Sequence, residues 1–265
     1  MFKSNSILLA ACGGSALLAL SCGSVASAAV IYTDPLTGYA SGTNLNGLTP
    51  GPVGNTNKWL APTSSNEWLS VGTSGVNANG GNANAILAFT PVAGNIYTLQ
   101  ATVAVAGNTS NWGALGFLTS DTNTTATTTF FGSSSSWMLA RGANGGEDQT
   151  FVGPGTGGLT NVTTVGTNDS VTMTLTLTDN GTSPWTIGYK YTDLGNSSND
   201  STYSPVAYSS NPTNIAAVGF GESAANVTVT NFSLTSNPIP EPATLGLVAV
   251  GALGLLLLKR RKASV

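Results

Sequence analysis

Between Ser170 and Thr192 the chain alternates with period two, and that pattern limits its folds more than any other. Val171, Met173, Leu175 and Leu177 interleave with Thr172, Thr174, Thr176 and Thr178. An extended backbone therefore puts four apolar side chains on one face and four threonines on the other. A helix would scatter both sets around its axis. Asp179-Asn180-Gly181 follows, and Asn-Gly tolerates the positive φ of a tight turn; then Trp185, Ile187, Tyr189 and Tyr191 alternate again. The reading is an antiparallel hairpin over 170–192, with a loop through Pro184 longer than two residues. A sheet with one apolar face needs a second layer to cover it.

The same period recurs along the chain. Leu99, Ala101, Val103 and Val105 share one face of a long strand that starts near Ile96. Further strands are expected at 30–33, 67–71, 85–90, 113–118, 127–131, 137–141, 149–152, 215–220 and 227–234. In the last of these Val227 and Val229 are odd-numbered, whereas Phe232 and Leu234 are even-numbered. One extra residue near Thr230 and Asn231, a β-bulge, would keep both pairs inside. No helix is expected outside the terminal segments. Many short strands without an internal repeat or linker predict an all-β chain, a single antiparallel β-sandwich over 29–237. A parallel β-helix is the rival for a chain this rich in Asn, Gly and Thr, but no fixed-period repeat occurs. The long strand at Ile96, the run Trp137-Met138-Leu139-Ala140-Arg141 before a Gly-rich loop, and the closing 227–234 strand resemble a concanavalin-A-like or laminin-G-like jelly roll. That resemblance implies a lectin-like sandwich.

Composition restricts the chemistry. Only 7% of the 265 residues are charged, against about 25% in ordinary soluble domains. Water must be met by neutral Asn, Ser, Thr and Gly. There is no His, so imidazole bases, Ser-His-Asp triads and His-ligated metals are excluded. Residues 29–238 carry Lys58, Arg141 and Lys190 against ten carboxylates, a net charge of −7. Nucleic acid is excluded as a partner, because binding it needs clustered cations to displace counterions.

The two ends read as addresses. Lys3, the apolar stretch 7–20 and the small residues Ala26-Ser27-Ala28 form a Sec signal peptide over 1–28, with signal peptidase leaving Ala29 as the mature N-terminus. Leu9-Ala10-Ala11-Cys12 looks like a lipobox but follows almost no h-region. Cys12 and Cys22 both fall inside the signal, so the mature chain has no thiol. Residues 243–258 are uncharged and run into Lys259-Arg260-Arg261-Lys262. As a helix they would span roughly 24 Å, short of the ~30 Å hydrocarbon core, and the basic side chains would snorkel to close the gap. The basic cluster places that end in the cytoplasm and the preceding domain outside.

Pro240-Glu241-Pro242, a Gly- and Leu-rich apolar segment and an Arg-Arg cluster, in this order at the end of the chain, resemble the PEP-CTERM sorting signal of Gram-negative bacteria over 238–265. Ile239 stands where that family commonly has Val. The resemblance implies an exosortase as processing partner. It further implies an inner-membrane single-pass intermediate with a periplasmic ectodomain, then delivery to the cell surface or extracellular matrix, commonly in bacteria that make exopolysaccharide and biofilm.

Each candidate site residue has a packing role as its alternative. Sandwich-fold glycosidases need two carboxylates about 5 to 10 Å apart. Glu147 and Asp148 are adjacent and would point to opposite faces of a strand, while Glu67 and Glu222 lack a surrounding motif. All four read as solvated surface charges, and no catalytic residue is assigned. For binding, sugars stack on exposed aromatic faces beside polar hydrogen-bonding groups. Trp59 (after Asn57-Lys58) and Trp112 (after Ser110-Asn111) are the candidate carbohydrate-binding residues, whereas Trp68, Trp137 and Trp185 read as core. A structural calcium ion would be drawn from Asp34, Asp121 or Asp193, but no EF-hand-like spacing supports it, and no metal ligand or cofactor is assigned. The expectation is an exported, sorted, non-catalytic structural or binding protein associated with exopolysaccharide. A lectin-like module is the alternative, and a glycan-active enzyme a weaker one.

Overall fold

Alternation becomes sheet through pairing. The computed structural model describes residues 27–107, 110–122, 134–142, 148–153, 159–163, 170–179, 184–208, 212–223 and 226–239. In chain order its strands are β1 (Ala29–Asp34), β2 (Glu67–Ser70), β3 (Val76–Asn79), β4 (Asn84–Ala88), β5 (Asn95–Val105), β6 (Trp112–Leu118) and β7 (Ser134–Arg141). They continue with β8 (Asp148–Val152), β9 (Leu159–Thr163), β10 (Ser170–Thr178), β11 (Thr186–Asp193), β12 (Ser201–Ala207), β13 (Ala217–Ser223) and β14 (Val227–Pro238). One sheet of eight strands runs β12-β11-β10-β5-β14-β3-β2, with β1 also on β14; a second of six runs β4-β13-β6-β7-β8-β9. All pairings are antiparallel.

The hairpin predicted over 170–192 forms as β10 and β11, with Leu175 opposite Tyr189 and Thr172 opposite Thr192. Its apolar side chains enter the main core between the sheets with Leu99, Phe117, Val218 and Phe220. Its threonines line the outer face. Two β11 tyrosines tie the sheets together. The Tyr191 hydroxyl donates to the carbonyls of Leu139 and Gln149, both at 2.8 Å, and the Tyr189 hydroxyl donates to Phe151 O at 2.7 Å. These bonds cross from one layer to the other, so they fix the position of the sheets as well as satisfy buried polar atoms.

The expected bulge is present. Register on β5 shifts between Thr230 and Ser233, and Asn231 takes φ 53°. Val227, Val229, Phe232 and Leu234 are all 0–1% exposed. The Asn231 N–H, turned out of the ladder, donates to Pro35 O at 3.0 Å. Asn is among the few side chains that accept this left-handed backbone at small cost.

Three strands escape the alternation rule: β3, β9 and β12. The strand expected at 127–131, the signal segment through Ala26, and the segment 243–258 lie outside the described residues. Among those described, no helix is long and apolar enough to cross a membrane.

Candidate functional site

Both nominated tryptophans are inside, which corrects the reading of Trp59 and Trp112 as exposed sugar-stacking rings. Trp59 is 1% exposed. Its ring packs 4.9 Å from Phe232 and 5.2 Å from Phe220, and its Nε1 donates to Asp34 Oδ2 at 2.8 Å. Asn57 and Lys58 are polar because the chain crosses the surface there, but backbone bonds to Leu48 and Ile86 turn the next side chain inward. Trp112 opens β6 and is 5% exposed, with its ring 6.5 Å from Trp137. Trp68 and Trp137 are buried, as expected, and Trp185 packs half-buried against the main core.

Trp112 belongs to a second apolar cluster, on the face of the six-stranded sheet turned away from the main core. Strand parity separates the two: Leu115, Phe117 and Met138 face the main core, while Trp112, Ala114, Trp137, Leu139 and Phe151 face the other way. One row crosses this outer face from Ile86 through Gly219 and Gly116 to Trp137 and Phe151. The glycines are required there. A Cβ on Gly116 would sit 2.7 Å from Trp137 Cβ, and one on Gly219 would strike the Ala85 carbonyl. Trp137 stacks on Phe151 at 4.0 Å and 9°. Arg141, on the same side of β7, donates to Gln149 Oε1 at 3.5 Å. Aromatic and planar polar groups thus meet on this face, but Trp137 and Phe151 are 0–1% exposed, so the platform is covered rather than open.

Two carboxylates read as surface charges are buried instead. Asp148 is 2% exposed and Glu222 is 0% exposed. Backbone donors hold them: Arg141 N–H on Asp148 Oδ1 at 2.8 Å, and Ala83 N–H on Glu222 Oε1 at 3.0 Å. Such bonds satisfy the carboxylate oxygens and so offset the cost of burying them. Glu67 is half-buried and accepts from Asn44 Nδ2 at 3.0 Å. Glu147 lies outside the described residues.

Asp34 and Asp193, candidates for a calcium ion, serve loops in the same way. Asp34 accepts from Leu36 N–H, the Tyr39 hydroxyl and the Trp59 indole. Asp193 accepts from the N–H groups of Gly195 and Asn196 and from Asn199 Nδ2. Asp121 is exposed. Among the described residues no three His, Cys, Asp or Glu side chains gather as a metal site. No local pattern announces these roles, since Asp34 and Trp59 are 25 residues apart.

Burial raises the pKa of the phenols of Tyr189 and Tyr191 well above their ordinary value, and that of Tyr208 to about 12. Tyr39 is raised by burial and by the neighbouring Asp34 charge. At neutral pH these hydroxyls keep their protons.

Of the addressing residues, Ala28 and Ala29 are exposed and β1 begins at Ala29. Ala26, Pro240, Glu241, Pro242 and the Lys259, Arg260, Arg261 and Lys262 cluster lie outside the described residues. The sheet runs to the edge of this segment: β14 ends at Pro238, and the Ile239 N–H donates to Gly94 O at 2.9 Å.

Residues 238–262 match the PEP-CTERM protein-sorting motif. No curated protein matches the chain. Among solved structures, the VIP36 exoplasmic/lumenal domain in its Ca2+/Man2-bound form is similar at 9% identity and TM-score 0.49, over 75% of this chain and 88% of that one. The metal-free carbohydrate recognition domain of Emp46p is similar at 14% identity and TM-score 0.43, over 74% and 94%. A Bacillus subtilis protein of unknown function with a galectin-like fold is similar at 10% identity and TM-score 0.45, over 78% and 95%. The chain carries a PEP-CTERM sorting motif at its C-terminus, joined directly to the last strand of an antiparallel β-sandwich.

Proposed function

We propose that this is an exported exosortase substrate whose sandwich acts at the cell surface or in the extracellular matrix by binding, without catalysis. The sorting motif at 238–262 is the observation that carries the reading. Two prolines in Pro240-Glu241-Pro242 bar regular helix and favour an extended segment that a membrane-embedded protease can reach. Signal peptidase cuts after Ala28, which leaves β1 whole. The segment 243–258 holds the chain in the inner membrane of a Gram-negative cell until processing. The buried carboxylates support a non-catalytic role, because their oxygens are engaged by fixed backbone and side-chain donors.

Exopolysaccharide is the proposed ligand class, which makes the sandwich a lectin-like module of a biofilm or floc matrix. A surface with 7% charge and abundant hydroxyl and amide groups suits neutral hydroxylated polymers. The test replaces Pro240, Glu241 and Pro242 with alanines and follows a mid-chain tag by fractionation in the native host. Wild type is expected outside the inner membrane in shortened form, and the variant full-length within it. If both stay full-length in the inner membrane, the C-terminal segment is only an anchor and the sorting proposal fails.

A further inference from the structure

The outer face of the eight-stranded sheet carries a hydroxyl array that the reading so far leaves unused. Thr192, Thr172, Thr102 and Thr230 stand in one row across four adjacent strands. The next row places Lys190, Thr174, Gln100 and Ser233 in line. Neighbouring rows repeat about every 6.8 Å along the strands and members of a row about every 4.8 Å. Thr102 and Thr172, each only 9% exposed, share a hydrogen bond at 3.1 Å between their Oγ1 atoms and form the floor of the array, with Thr192, Thr230, Thr174, Gln100 and Ser233 more open around them. β-Branched side chains have few rotamers, so these hydroxyls are held in place before any ligand arrives.

At the β2–β3 end the array meets a pocket of about 370 Å³ lined by Leu69, Val71, Asn77, Ala78, Asn79 and Gly80. Asn77 stands opposite Thr228, and its Nδ2 donates to Thr228 Oγ1 at 3.2 Å. The Asn79 side chain is exposed and makes no hydrogen bond among the described residues. An apolar floor with amide groups at its rim suits the hydrophobic face and edge hydroxyls of a pyranose ring. On the described strands of this face the charges are Glu67 on β2 and Lys190 on β11, far apart across the sheet.

We infer that this face binds a neutral glycan chain, with one sugar in the Leu69–Asn77 pocket and the following sugars laid across the threonine rows. The inference rests on the glycan-binding reading above and assigns it a surface. The interstrand spacing is close to the length of one pyranose unit, so successive sugars meet successive strands. Sheet twist of roughly 20° per strand suits a polymer that turns along its length better than a flat crystal face such as ice.

The test titrates the full-length chain in detergent micelles with neutral cello-, malto- and chito-hexasaccharides and with exopolysaccharide from the native host. Wild type is compared with Asn79→Leu and with the double variant Thr174→Lys/Thr176→Lys, whose outward positions leave the core intact. Near-ultraviolet circular dichroism checks that the fold is kept. The expected result is binding to at least one probe, weakened about tenfold or more in both variants, as loss of several hydrogen bonds predicts. Unchanged binding in folded variants overturns this surface while the glycan reading stands. No binding of wild type to any probe overturns both. Inhibition of ice recrystallisation without sugar binding assigns the array to ice instead and likewise overturns the inference.

Discussion

Inserting one alanine directly after Asn231 should unfold the sandwich, although the Asn231 side chain itself is exposed. The bulge exists because the inward parity of β14 changes between Val229 and Phe232. With a second extra residue after Asn231, Phe232 and Leu234 take outward positions, and Ser233 and Thr235 turn into the core. Phe232 is 1% exposed and packs on Trp59 and Phe220, and Leu234 is 0% exposed. Exposing both costs about 3–6 kcal/mol, and two newly buried hydroxyls without partners add about 1–3 kcal/mol each. A domain of this kind has only about 5–15 kcal/mol of net stability. Substitution at the same site separates register from conformation. Asn231→Gly accepts φ 53° freely and should leave the Tm nearly unchanged. Asn231→Val should cost about 1–2 kcal/mol, or about 2–8 °C in Tm for a domain of this size. Thermal unfolding of the full chain in detergent, followed by the near-ultraviolet dichroism of its tryptophans, measures all three variants. An insertion variant with wild-type Tm and tryptophan signal would refute the parity argument, and equal Tm values for the Gly and Val variants would refute the strain argument.

Tyr191→Phe removes the donor shared by Leu139 O and Gln149 O and should cost about 1–2 kcal/mol; an unchanged Tm would mean the cross-sheet bonds contribute nothing. Gly219→Ala drives a Cβ into the Ala85 carbonyl and to 2.9 Å from Ile86 Cα, both fixed backbone, and should destabilise by about 1–3 kcal/mol or more; a soluble variant of wild-type stability would show that β4 can shift. Alkaline pH should unfold the protein. Tyr189, Tyr191 and Tyr208 keep their protons in the folded state above the pKa of 10.0 they have when unfolded, so their contribution is complete below about pH 10 and falls as pH rises toward and beyond 12. Unfolding midpoints in urea that stay constant between about pH 10 and 12 would contradict that linkage.

The parity change in β14 and the 170–192 hairpin were legible because each is a local fact about alternation, and the buried face admits only one register. β3, β9 and β12 were not. Val76–Asn79 has two apolar residues between glycines, and Ser201–Ala207 contains Pro205 in a strand at the sheet edge. Their neighbours recruit such segments into strands. The sorting motif was readable for a different reason: three parts must follow one another in order, and order survives without a fold.

The tryptophans mark where this kind of reading stops. Polar neighbours in sequence report that a backbone passes near water, not where the next side chain points, and the fixed orientation of Trp59 depends on Asp34 from β1 and two phenylalanines from β13 and β14. With few charges available, the sandwich also buries several of its carboxylates as caps for loops and indoles. Its outer face is then left with threonine, serine and asparagine, groups that contribute individually weak, neutral hydrogen bonds. Recognition by such a face must be spread over many contacts, which favours long repeating ligands over small ones. If the proposed sorting brings many copies to one surface, it compounds this, because a polymer held by several weak sites at once dissociates far more slowly than from any one of them.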